Sequence, residues 1–271
     1  MDRTAVEPAP VEGVRLDRPR NGVALVTIDR PERYNALDEP ILLGLTGLLD
    51  ALADDPATRS VVVSGAGPAF CAGGDLDVLR KVAEAPLEAG EQFLTRALQA
   101  AAALRRLPQP TIAALNGPVA GAGLGLALAC DIRIASPTAS LSAPFVHMGL
   151  VPEMGVTWLL PRLVGFGVAV ELLLSGRQVD AAEAQRLGLI TRICDDPVGS
   201  ALAMAAAFAA MPARAVAVTK TLLQQAQAGG LESAIAAEAR EQAAAVHGPE
   251  FGDRYGAWCS VTPAPTEENT A

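Results

Sequence analysis

Two short runs of unbroken apolar character constrain this chain most, SVVVSG (Ser60–Gly65) and TIAAL (Thr111–Leu115). Neither alternates polar with apolar residues, so neither suits a strand with one face in water. Such runs are expected of parallel strands covered on both faces. Each is followed by a glycine-containing loop and then a helical pattern, from Asp75 in the first case and from Gly121 in the second. Parallel neighbours need crossover connections, so the arrangement implies an α/β core.

Other segments extend that core. GVALVTID (residues 22–29) alternates and is β-branched, and CDIRIAS (130–136) reads as a further strand. Asp38 is placed to cap a helix with Pro40 in its first turn. Ile41, Leu42, Leu45, Leu48, Leu49 and Leu52 then recur at helical spacing. From Thr157 to about His247 the pattern is mostly helical. The expected organisation is a loose tail at 1–12, a core at 13–200, a helical region at 201–259 and a second tail at 260–271.

Composition narrows the partners. Hydrophobic residues make up 51% of the 271, yet no apolar run reaches the roughly 18 residues of a membrane span. MDRTAVEPAPVEG has no apolar segment of the secretory kind, so a cytoplasmic location is expected. The net charge of −9 comes without a basic stripe, which argues against nucleic acid. An anionic ligand must therefore meet local basic residues. Cys71, Cys130, Cys194 and Cys259 form no CxxC pair. With only His147 and His247 beside them, no metal site is expected.

NGPVAGAGLGLALACD (116–131) carries glycines at 121, 123 and 125. A dinucleotide loop requires G-x-G-x-x-G, but the third glycine's place falls on Leu126 or Leu128. In SGAGPAF it falls on Phe70. Neither loop ends in G-K-[ST], and there is no G-x-S-x-G elbow. What remains is a pair of strand–loop–helix junctions, each able to present unpaired N–H groups at a helix start. Two such donors converging on one oxygen make an oxyanion hole. Equally, the glycines could serve only tight turns and close packing.

RPERYNALD, GAGPAFCAGGDL, PTIAALNGPVAGAGLGLALACDIRIAS and MGLVPEMGVTWLLPRLVG occur in that order. Together they resemble the crotonase (enoyl-CoA hydratase/isomerase) superfamily over residues 14–193, and more loosely to Trp258. The resemblance implies a spiral of ββα turns forming two sheets, with a helical trimerisation region after it. It implies N–H groups of Ala72 and Ala122 as the oxyanion donors for a thioester carbonyl. Arg33, Tyr34 and Ala36 match the loop on the CoA nucleotide. Gly74, Asp75 and Leu76 match the border of the adenine and pantetheine. Asp75 is also a natural helix N-cap.

Departures from the family pattern are informative. Typical hydratases carry two glutamates, and here those positions hold Gly125 and Phe145, neither of which moves a proton; Phe145 is left as a lining residue. Glu153 matches instead the single acid of members that shift double bonds. Amid apolar neighbours a buried Glu153 would have a raised pKa, suiting a proton shuttle. A plain exposed glutamate at a helix start is the alternative.

The leading expectation is a Δ3,Δ2-enoyl-CoA isomerase. It would act on acyl-CoA as a homotrimer or dimer of trimers, with no metal or redox cofactor and CoA only as part of the substrate. Hydration of a 2-enoyl-CoA and a non-catalytic acyl-CoA-binding protein are the rivals. DRYGAWCSVTPAPTEENTA lacks the Leu-Glu-Lys-Arg-like ending by which many relatives cover a neighbour's CoA. His147 is expected to line the pocket or pack, Cys71 to be a small buried residue, and Trp158 to be core. Lys220 and Arg240 are assigned nothing.

Overall fold

A computed structural model describes residues 9–261. The chain opens with a hairpin of β1 (Val14–Arg20) and β2 (Val23–Ile28), followed by α1 (Glu39–Asp54) and β3 (Ser60–Gly65). Three helices, α2 (Leu76–Glu84), α3 (Leu87–Ala97) and α4 (Gln99–Arg106), lead to β4 (Thr111–Leu115), β5 (Val119–Ala120) and α5 (Ala122–Ala129). Next come β6 (Ile132–Ala135), β7 (Ser140–Ser142), a 3-10 turn (Pro144–Met148), α6 (Val156–Val164) and α7 (Phe166–Ser175). β8 (Gln178–Asp180), α8 (Ala181–Arg186), β9 (Arg192–Ile193) and α9 (Pro197–Ala209) complete the first unit. The second unit begins at Met211 and holds α10 (Ala213–Ala226), α11 (Leu231–Val246) and α12 (Pro249–Val261).

Six strands form one sheet in the order β1-β2-β3-β4-β6-β9, and β5-β7-β8 form a second. Within the larger sheet β2, β3, β4, β6 and β9 are parallel, and only the edge strand β1 is antiparallel to its neighbour. β3 and β4 are buried throughout, as unbroken apolar runs require. Asp131 joins strands by accepting from Thr111 N and Oγ1 at 2.8 and 2.9 Å. The buried Arg133 guanidinium takes up the Cys130 and Leu189 carbonyls at 2.8 and 2.6 Å, satisfying acceptors beyond the end of α5.

The structure moves the expected boundaries. Ala201 and Ala205 of α9 pack with Val23, Val62, Ile112 and Ile134 on one face of the sheet. That helix therefore belongs to the core, and the division falls at Ala210/Met211, not at 200/201. Within the expected tail at 1–12, Val11 packs on the main core while Ala9, Pro10 and Glu12 are exposed; residues 1–8 and 262–271 lie outside the described ones. β1 escaped the sequence reading because VRLDRPR is charged and contains Pro19. That composition suits an exposed edge strand, where unpaired backbone faces water.

Candidate active site

The carboxyl ends of β3 and β4 open into two loops, 66–75 and 116–121, that run side by side. Ala120 N donates to the Cys71 carbonyl at 2.9 Å, and Phe70 N donates to the Pro118 carbonyl at 3.1 Å. Two buried or half-buried asparagines hold the first loop from either side. Asn35 Nδ2 donates to the Ala66 and Ala69 carbonyls at 2.8 and 2.7 Å, while its Oδ1 accepts from Arg30 N at 3.0 Å. Asn116 Nδ2 donates to the Gly67 and Ala69 carbonyls at 2.9 and 3.0 Å. Crevices at the carboxyl ends of parallel strands are where α/β folds bind ligands.

One expected donor is spent. The Ala72 N–H donates to the Tyr34 carbonyl at 3.0 Å, so it faces the 30–37 loop and not a ligand. The correction is a shift of two residues. Leu37 N donates to Gly73 O, and Asp75 N donates to Leu37 O, which brackets Gly74 in a parallel bridge. The N–H of the bracketed residue then points away from Leu37. Gly74 N has no acceptor among the described residues, and neither has Ala122 N at the first position of α5.

Gly73 and Gly121 let these segments touch. A Cβ on Gly73 (φ +109) would stand 3.1 Å from the Ala120 carbonyl and 3.4 Å from Ala122 N. Gly121 takes φ +53 and would place a Cβ 3.9 Å from the Phe145 ring. Both positions are open to glycine on grounds of backbone conformation alone. The result is a pair of unpaired N–H groups, at Gly74 and Ala122, beside a buried aromatic wall.

Glu153 sits at this junction. Its Oε1 is 4.0 Å from where a Cβ on Gly74 would be. Its carboxylate has no hydrogen-bond or ion-pair partner among the described residues. Burial alone raises its pKa above the ordinary glutamate value. The segment that carries it is bent: Met154 and Gly155 are both left-handed, at φ 52 and 74, just before α6 begins. Gly125 is buried in α5 against Met154, and Phe145 is 6% exposed, so neither hydratase position offers an acid.

The remaining candidates divide. Asp75 caps α2, accepting from Asp77 N at 3.0 Å, and its other oxygen accepts from Arg30 at 3.1 Å. The Asp77 N–H and the Arg30 guanidinium hold its carboxyl below the usual carboxylate range. It is a fully engaged structural acid. Arg33, Tyr34 and Leu76 are exposed on the same rim, Arg33 3.9 Å from Asp77. Ala36 presents its carbonyl to Arg30 at 2.7 Å.

His147 turns away from the junction, its Nε2 2.7 Å from the Ser175 carbonyl at the end of α7. Burial pushes the Cys71 thiol up to about 12, so it stays protonated. Trp158 is not core: it is 43% exposed, with the Arg162 and Arg105 guanidinium groups 4.0 and 5.3 Å from its ring. Arg30, Asn35, Gly73 and Met154 were not singled out from the sequence. The polar residues within RPERYNALD and the GG pair were the signals that could have drawn attention to the first three.

Residues 18–252 match the enoyl-CoA hydratase/isomerase family. The chain belongs to that family. Mycobacterium tuberculosis "Probable enoyl-CoA hydratase EchA14" is 42% identical over 241 residues, 87% of this chain and 93% of its own. The structure of an enoyl-CoA hydratase from Bacillus anthracis superposes with a TM-score of 0.86 at 30% identity, covering 95% of this chain and 100% of that one. A structure from Thermobifida fusca YX, in complex with CoA, gives 0.80 at 36% identity, covering 87% and 93%. The fold is the crotonase fold.

Proposed function

We propose that this enzyme is a Δ3,Δ2-enoyl-CoA isomerase working through one carboxylate. The observation that carries the reading is Glu153: a desolvated acid beside Gly74, without a partner among the described residues, with Gly125 and Phe145 in the two hydratase positions. The thioester carbonyl accepts from the Gly74 and Ala122 N–H groups. Ionised Glu153 takes the C2 proton of a 3-enoyl-CoA, and the C–H electron pair moves into a dienolate whose charge rests on the thioester oxygen. The same carboxyl returns the proton at C4, leaving the double bond between C2 and C3. One group suffices because it acts as base and then as acid.

Arg33, Tyr34, Ala36, Asp75 and Leu76 rim the side on which the CoA nucleotide and pantetheine would lie, and Phe145 would face the acyl part. No metal or redox partner enters the scheme. The proposed assembly is a homotrimer or a dimer of trimers.

Separate incubation with 3-enoyl-CoA and 2-enoyl-CoA tests the reaction. Isomerisation of the first is expected. Hydration of the second without it would establish the second reading, a hydratase with Glu153 as sole acid/base, which the names of the relatives favour. Glu153→Gln is expected to lower kcat by about 10²–10⁴-fold while acyl-CoA still binds. Binding by a wild-type protein inert on both substrates would leave an acyl-CoA-binding role.

A further inference from the structure

We propose that Gly125 is a positioning residue: its missing side chain makes the space in which Met154 seats, and that seat fixes where Glu153 points. This rests on the reading of Glu153 as the acid. Gly125 lies one turn along α5 from Ala122, on the same face of the helix. A Cβ there would stand 2.2 Å from Met154 Cβ, 3.0 Å from its carbonyl oxygen and 3.3 Å from its Cα. Carbon atoms rest about 3.5–4.0 Å apart, so residue 154 would have to retreat by more than ~1 Å.

The clash is with backbone and Cβ, so a rotamer change cannot relieve it. Met154 is 2% exposed and held left-handed at φ 52. The turn around it is tied by Val156 N to the Glu153 carbonyl at 3.0 Å, and by Leu159 N to the Gly155 carbonyl at 2.9 Å. Displacing Met154 therefore drags Glu153 with it. Misplacing a reacting group by about 1 Å costs on the order of 10²-fold in rate. In this packing any side chain at position 125, an acid included, would push Met154 from the seat it holds beside Glu153.

The test is a mutant cycle in the full-length enzyme, with 3-enoyl-CoA turnover and acyl-CoA affinity as readouts. Gly125→Ala is expected to lower kcat by about 10²-fold with affinity held within about twofold. Adding Met154→Gly removes the opposing Cβ and is expected to restore most of the rate. Adding Met154→Ala keeps that Cβ and should restore nothing, although both shorten the side chain. Equal rescue by Gly and Ala would overturn the proposal, as would full activity in Gly125→Ala while Glu153→Gln is inert.

Should Gly125→Ala fail to fold, Met154→Gly serves as the background. There Gly125→Ala is expected to change kcat by less than about fivefold, and a loss near 10²-fold overturns the pairing. Retained turnover in Glu153→Gln would overturn both this proposal and the function on which it rests, whereas the other adverse results overturn the positioning alone.

Discussion

A buried acid without a partner costs stability, and Glu153 is such a group among the described residues. Its raised pKa means the folded protein binds a proton more readily than the unfolded chain. The penalty is thus absent below the ordinary glutamate value and complete above the raised one. Glu153→Gln is accordingly expected to melt higher than wild type at pH 8, with the difference closing as pH falls toward 4; an unchanged difference would contradict the burial. In the proposed reaction activity has the opposite dependence, because Glu153 would act as the ionised base: kcat/KM is expected to fall as pH drops through that raised value. The proposed oxyanion donors can be probed at the same scale. Ala122 is the first residue of α5, where proline fits a helix and removes only an N–H that the helix does not use. Ala122→Pro is expected to keep the fold by circular dichroism and lose about 10²–10³-fold in kcat, roughly 3–4 kcal/mol of transition-state stabilisation. Wild-type turnover would remove Ala122 from the site.

Elements bring these groups together, and the loop 30–37 does so by unusual means. Tyr34 and Asn35 are consecutive left-handed residues, and Asn35 is fully buried with three hydrogen bonds. Asn35→Ala loses all three and adds backbone strain. A loss of about 2–4 kcal/mol is expected in urea unfolding, together with weaker acyl-CoA binding. Asn35→Gly keeps the backbone free to adopt its angle and should recover only part; full recovery would make strain, not hydrogen bonding, the cause. The sheet was legible from sequence because continuous apolar runs leave few alternatives, and α1 because Asp38 caps it, its Oδ1 accepting from Ile41 N at 3.1 Å. Gly125 and Phe145 also stood out, since they are departures in an otherwise matching pattern, and Glu153 because it matches the single acid of members that shift double bonds. Ala72 misled because neighbouring N–H groups look alike in a sequence; which way each points depends on pairing with Leu37 and Tyr34, thirty-odd residues away. Met154 was invisible for a similar reason, as its importance lies in a contact with a glycine.

At the scale of the whole molecule, the second unit makes the strongest demand. Neither α10 nor α11 buries a single residue within the chain. Helices of 14 and 16 residues are marginal in water without a packed face. Yet Leu223, Leu231 and Ile235 are 66%, 71% and 54% exposed, on segments too short to cross a membrane alone. Each such side chain gains about 1.5–3 kcal/mol when covered, so self-association through these helices offers the stabilisation they lack. The proposed homotrimer fits this demand, since a closed ring covers the same patch on every copy. Sedimentation at micromolar concentration is expected to give three or six times the 27.8 kDa of one chain. Leu223→Glu with Ile235→Glu should shift the protein toward smaller species and lower the helical signal, while the sheet of the first unit persists. A wild-type monomer of undiminished helicity would show that these helices stand without partners, and the trimer would have to be abandoned.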